Sequence, residues 1–202
     1  MKEESVSLII NSSVDYIHFV NDTAEILVKS KANFETEEDR NKFIQDLRIL
    51  IYELFSNAVS HSQSSNVLVR YTLSETKLVI DIETEGNGFA IKPMDESGNY
   101  CEKSFIPYKK EILGKEFVVY RDEENIVMCK VTGEYNTELY HKKIHGVSDE
   151  GKEIPEHYGL YLITCLSDDV RYNRSVTGKD VFSITKSINR NIDKILTGAA
   201  SR

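Results

Sequence analysis

What is scarce in this chain narrows its class first. Only three cysteines occur among 202 residues, at 101, 129 and 165. They are odd in number, far apart and without a Cys-x-x-Cys pair, so they make no disulfide framework and fit a reducing compartment. Long apolar runs are missing too. No stretch approaches the ~20 apolar residues of a membrane span, and the start, Met-Lys-Glu-Glu-Ser-Val-Ser-Leu-Ile-Ile, has no segment of signal-peptide length. The expectation is a soluble, cytoplasmic protein with no membrane partner. Basic residues are the minority: 25 Lys+Arg against 33 Asp+Glu give 25 − 33 = −8. Nucleic-acid affinity rests on cationic neutralisation of phosphates, so a nucleic-acid partner is not expected. Internal repeats and low-complexity segments are also absent. What remains is a chain of globular composition, long enough to bury a core without a metal or disulfide staple.

Its organisation follows from periodicity. A short apolar strand spans residues 5–10 and ends at capping residues Asn11-Ser12-Ser13. Ile17, Val20, Ala24 and Leu27 predict a helix over about 14–30. The acidic run Glu35 to Asp39 favours the start of a second helix through its dipole. Phe43, Leu47, Leu50, Leu54 and Ala58 form that helix's buried stripe, and it ends near His61-Ser62. Alternation at Val67, Val69, Tyr71, Leu73 and at Leu78, Ile80, Ile82 predicts a hairpin turning at Ser74-Glu75. Residues 89–114 hold two of the three prolines and no clear period. A second hairpin is predicted near 115–132, a short helix over 136–144 and a polar loop from Gly146 to Pro155. A helix over 158–166 and two strands, 170–174 and 181–185 with Gly178 between them, follow. The expected fold is one domain over 1–202, an α/β (α+β) two-layer sandwich. Its sheet is mostly antiparallel, with helices on one face and an inserted β-hairpin.

The second helix carries the most informative residues. Glu53, Asn57 and His61 stand four apart, so they stack on one face beside the buried stripe. A carboxylate, an amide oxygen and an imidazole aligned there suit a base, a metal ligand and a phosphate contact. A plain polar helix face has the same spacing, as Glu37 and Asn41 show at the solvated start of the helix.

Combination separates the two readings. The run Glu53-Leu-Phe-Ser-Asn57-Ala-Val-Ser-His61 resembles the N-box of the GHKL (histidine kinase-like) ATPase superfamily. Thr84-Glu-Gly86-Asn-Gly88-Phe resembles its Asp-x-Gly-x-Gly box, and His157-Tyr-Gly159-Leu160-Tyr-Leu-Ile resembles its second glycine box. Asp168-Asp-Val and Gly178 to Lys186 resemble its closing strands. The arrangement is most similar to the anti-sigma-factor serine kinases of bacterial partner-switching systems. The resemblance implies ATP and Mg²⁺ as ligands. It makes Asn57 the Mg²⁺ contact and Glu53 the base that deprotonates water or a partner's serine hydroxyl. Gly86 and Gly88 become the turn where adenine meets backbone, and Gly159 and Leu160 a helix start whose N–H groups meet phosphate. His61 and Thr84 complete the nucleotide contacts. The implied partner is a small antagonist protein or a sigma factor, and a homodimer is open.

Three departures from the pattern stand out. Thr84 occupies the position of the family's adenine-reading Asp. A hydroxyl accepts more weakly than a carboxylate, so Thr84→Asp is expected to tighten ATP binding. His157 replaces the first glycine of the second box. About 70 residues separate Gly88 from Gly159, which makes 89–157 an enlarged lid or insertion whose hairpin is expected at or outside the sheet edge and dispensable for folding. Within it, Gly146 to Lys152 nearly spells a P-loop, but Glu153 stands where Ser or Thr is required. Lys152 is retained as a lid lysine able to meet a terminal phosphate, beside the plainer reading of a solvated side chain. His141 and His145 have zinc-pair spacing but no third ligand, and are read as surface histidines. Cys129 and Cys165 are read as core residues. The expectation is therefore an ATP-binding regulator, a serine/threonine kinase if active. The alternative is a non-catalytic interaction module with a degenerate nucleotide site.

Overall fold

The computed structural model describes residues 3–62, 64–85, 91–95, 107–144 and 158–188. Strand β1 (Glu4–Asn11) leads through a 3-10 turn at Val14–Tyr16 into helix α1 (Ile17–Lys31), followed by α2 (Glu37–His61). Strands β2 (Asn66–Leu73) and β3 (Lys77–Glu85) come next, then β4 (Glu116–Arg121), β5 (Asn125–Gly133) and β6 (Asn136–Lys143). Helix α3 (Tyr158–Leu166) and strands β7 (Asp169–Arg174) and β8 (Lys179–Ser187) close the chain. All eight strands form one sheet in the order β1-β2-β3-β8-β7-β6-β5-β4, each pair of neighbours antiparallel. The fold is the expected two-layer α/β sandwich.

One sheet face carries the helices. Val67, Val69, Tyr71 and Leu73 on β2 and Leu78, Ile80 and Ile82 on β3 point into the core, and their odd- or even-numbered neighbours do not. Helix α2 lies across this face on Phe43, Ile44, Leu47, Leu50, Ile51, Leu54 and Phe55, all buried. Its start is set locally: the Thr36 hydroxyl caps the N–H of Asp39, and Glu37, Glu38 and Asp39 meet the positive helix end. The Tyr71 hydroxyl donates a hydrogen bond to the Val20 carbonyl oxygen at 2.7 Å, pinning α1 to β2.

A buried ion pair binds the layers. Lys186 on β8, 2% exposed, reaches Asp46 on α2 at 2.9 Å and the Leu166 carbonyl at the end of α3 at 2.8 Å. Its ammonium also sits over the Phe43 ring, 5.3 Å from the centroid.

The middle of the chain departs from the sequence reading at residues 136–144. The expected short helix is strand β6, because Thr137 and Leu139 are buried in alternation with their neighbours and pair to β5 and β7. Eight residues with this polar–apolar pattern satisfy either period, and cross-strand partners decide. Strand β6 joins the β4–β5 hairpin to the rest of the sheet, so the hairpin forms its edge. It is not a detachable flap. Val119, Tyr120, Val127 and Cys129 are buried beneath α3, and the Tyr120 ring stacks on Tyr161 (6.3 Å) and meets Tyr158 edge-on (6.5 Å). The expectation that the hairpin is dispensable for folding loses its physical basis here. His141 is likewise no surface histidine: it is half-buried, with Nδ1 3.0 Å from the Thr164 carbonyl of α3.

Candidate functional site

The polar face of α2 turns toward β3 and β8 and opens a pocket at the C-terminal end of the helix. Leu54, Asn57, Ala58, His61 and Ser62 of α2 and the residue after it line one side, and Ile82, Thr84, Tyr172, Asp180 and Phe182 of the sheet line the other. The enclosed void is about 30 Å³, and the concavity about 420 Å³ when the open space at its mouth is counted. Ser62 donates its hydroxyl to the Glu85 carbonyl at 3.3 Å, which ties the end of α2 to the end of β3 and sets the width of the cleft. Ala58, expected on the fully buried stripe, is half-exposed because it faces this opening.

Asn57, His61 and Thr84 share this pocket, while Glu53, expected beside them, does not line it. Glu53 lies one turn back along α2 and abuts the first turn of α3. Gly159 faces it so closely that a Cβ at 159 would overlap the Glu53 carboxylate. The missing side chain leaves room for that carboxylate, a matter of close approach and not of backbone conformation. Burial pushes the Glu53 carboxyl above the ordinary carboxylate range, which strengthens it as a proton acceptor. Glu53 also borders an open groove between α1 and α2, lined by His18, Asn21, Asp22, Arg48, Ile49 and Tyr52. Leu160 is buried, 9% exposed, and anchors the start of α3 to the core. Gly86, Gly88, Lys152 and His157 lie outside the described residues.

Sequence reasoning missed the sheet wall of the pocket. Asp180 is 3% exposed and faces Thr84 directly across the β3–β8 pair. Its Oδ1 accepts the hydroxyl proton of the buried Tyr172 and lies 3.9 Å from Arg174 Nε. Its Oδ2 is buried and has no hydrogen-bond partner among the described residues. Burial raises the Asp180 carboxyl, with the Tyr172 hydrogen bond and the Arg174 charge working against it. A signal was present: Asp180, Phe182 and Ile184 share one parity on β8, so an acid stands in phase with an inward apolar series. By contrast Asp81 and Glu83 point to the open sheet face, where Ser183 donates to Asp81 at 2.6 Å and Lys179 pairs with Glu83 at 2.6 Å.

Apolar walls from Leu54, Ile82 and Phe182 suit a flat ring, Thr84 and Asp180 supply polar atoms at the floor, and the Asn57 amide oxygen suits a hard cation. The residues present therefore fit a purine nucleotide with Mg²⁺. A one-faced antiparallel sheet, a long helix with this polar face and a short helix meeting it at Gly159 define a two-layer sandwich of the GHKL ATPase type. The model of the histidine kinase-like ATPase domain matches residues 22–184, and the chain belongs to that family. Membership implies ATP binding. No curated protein matches the chain. Among the described residues, no helix is long and apolar enough to cross a membrane.

Proposed function

We propose that this chain is a cytoplasmic ATP·Mg²⁺-binding regulator that phosphorylates a serine or threonine of a small partner protein, in the manner of the anti-sigma-factor serine kinases. The observation that carries the proposal is the placement of Glu53. It borders the open α1–α2 groove and abuts the first turn of α3, one helical turn from Asn57 of the pocket. A partner hydroxyl entering by the groove meets a carboxylate whose basicity burial has raised. Glu53 takes the hydroxyl proton, the freed oxygen bonds the γ-phosphorus, and the bond from that phosphorus to the β,γ-bridging oxygen breaks to leave ADP. Asn57 would hold Mg²⁺, which would supply neutralisation of the phosphate charge.

The two helices also present apolar surface, Ile49 and Tyr52 of it within the groove. Phe19 and Ile26 on α1 and Ile49 and Tyr52 on α2 are all exposed, 41% or more. Exposed rings and branched side chains beside a base support a protein partner there, an antagonist or sigma factor, with a homodimer as the competing occupant.

Calorimetric titration of the whole chain with ATP·Mg²⁺, with ATP in EDTA and with ADP tests the nucleotide part. Magnesium-dependent ATP binding is expected. Hydrolysis in wild type that Glu53→Gln abolishes supports the base. Binding without any turnover returns the chain to a non-catalytic module, and no binding at millimolar ATP rejects the nucleotide site.

A further inference from the structure

Of the groups lining the pocket, only Asp180 combines deep burial with a polar atom left without a partner among the described residues. An unpaired oxygen at that depth costs stability unless something occupies it part of the time. Apolar walls on both sides exclude a purely ionic guest, and among the described residues no group of three or more His, Cys, Asp or Glu side chains is placed to hold a metal.

We propose that Asp180 is the base-reading residue of this site, its Oδ2 accepting a hydrogen bond from the exocyclic amino group of adenine. The inference rests on the ATP-site reading above and adds the residue that sets base specificity. The resemblance places adenine recognition at position 84 on β3, where this chain has a hydroxyl. The register sets Thr84 opposite Asp180, so the carboxylate is supplied from β8 across the same strand pair. Tyr172 occupies Oδ1 and fixes the plane of the carboxyl group. One oxygen is left, and one oxygen serves one donor. Adenine offers a single donor, its amino group, beside a ring-nitrogen acceptor. The Thr84 hydroxyl can donate to that nitrogen directly or through a water. Guanine offers two adjacent donors on the corresponding edge and needs both carboxylate oxygens, of which Tyr172 has taken one. The floor of the pocket is therefore an acceptor next to a rotatable hydroxyl, the complement of adenine.

The test compares ATP with purine riboside triphosphate, the same molecule without the amino group, and with GTP. All are titrated into the whole chain with Mg²⁺. Wild type is expected to bind ATP at least tenfold more tightly than either. Asp180→Asn is expected to compress that preference to about threefold or less, by weakening ATP and leaving the deaminated analogue nearly unchanged. A merely structural role for Asp180 would weaken all three ligands together. Equal affinity of wild type for ATP and the deaminated analogue overturns the proposal even if Asp180→Asn fails to fold. A folded Asp180→Asn protein that keeps the tenfold preference overturns it too. Both outcomes leave the ATP site itself standing. Absence of any nucleotide binding by wild type removes both.

Discussion

Asp180 is held at a cost. The folded protein keeps its carboxyl raised, chiefly through burial, so the native state binds this proton more tightly than the unfolded chain does. The sign follows: the stability linked to that proton is present at acid pH and is lost as pH rises through the folded-state pKa. Asp180→Asn keeps an acceptor for Tyr172 and removes the buried charge. It is expected to stabilise the protein by about 1 kcal/mol at neutral pH, roughly 2–4 °C in Tm. The difference should shrink in acid, which thermal unfolding followed across pH will show. Thr84→Asp reads differently once its neighbour is known. A second carboxylate facing Asp180 across the strand pair cannot ionise alongside it in a buried site. In place of the tighter ATP binding expected from the sequence, the variant should melt lower and gain no affinity. The reciprocal exchange Thr84→Asp with Asp180→Thr should recover most of the lost stability, a coupling that a double-mutant cycle in Tm measures. Gly159→Ala separates stability from turnover. The new methyl meets the far end of a flexible side chain, and alanine favours the helix, so Tm should hold. Glu53 is displaced, so ATP turnover should fall at least tenfold. In wild type, turnover should decline as pH falls through the raised pKa of Glu53, and Glu53→Gln should erase that limb.

At the level of elements, α3 is held from three sides. Glu53 of α2 meets its first turn, Lys186 of β8 binds its last carbonyl, and the β4–β5 hairpin lies beneath its tyrosines. Removing any of these should loosen the helix that carries the second glycine box. Deleting 116–133 uncovers Tyr158 and Tyr161 and removes buried Val119, Tyr120, Val127 and Cys129. The deletion variant is expected to lose α3 docking, with faster amide exchange at 158–166 and weaker nucleotide binding. Retained protection there would show that the edge strands are accessory. Asp46→Ala removes the carboxylate beside a cation only 2% exposed and leaves that cation the Leu166 carbonyl. Breaking a fully buried pair from one side costs about 3–5 kcal/mol; with Asp46 19% exposed and the Leu166 carbonyl retained, chemical denaturation should reveal a smaller but measurable loss.

For the whole molecule, ligand linkage gives the simplest readout. A nucleotide that binds only the folded state adds about 2.7 kcal/mol at one hundred times its Kd. ATP·Mg²⁺ should therefore raise Tm measurably. Asn57→Ala should remove the magnesium-dependent part of the rise and spare the part that ATP gives in EDTA. The net charge of −8 makes any attraction of the triphosphate a local property of the pocket and its surroundings, not of the whole surface.

Periodicity along the chain was enough for α1, α2, the β2–β3 hairpin and the α3–β7–β8 close, since each of these buries a face that repeats at 3.6 or 2 residues. The same spacing placed Glu53, Asn57 and His61 on one side of α2 beside the core, and the boxes around them identified the family. Residues 136–144 were illegible because a short alternating run is settled by its strand partners, β5 and β7, which local pattern does not contain. The pocket floor was illegible for the same reason. Thr84 and Asp180 belong to opposite parts of the chain, and only the antiparallel register of β3 with β8 brings a buried carboxylate to the place where the motif on β3 lacks one. Sequence alone determined which face of α2 carries the polar series and which boxes mark the family. Tertiary pairing decided which side chain stands at the base of the pocket, because facing positions across a sheet are set by register and not by distance along the chain.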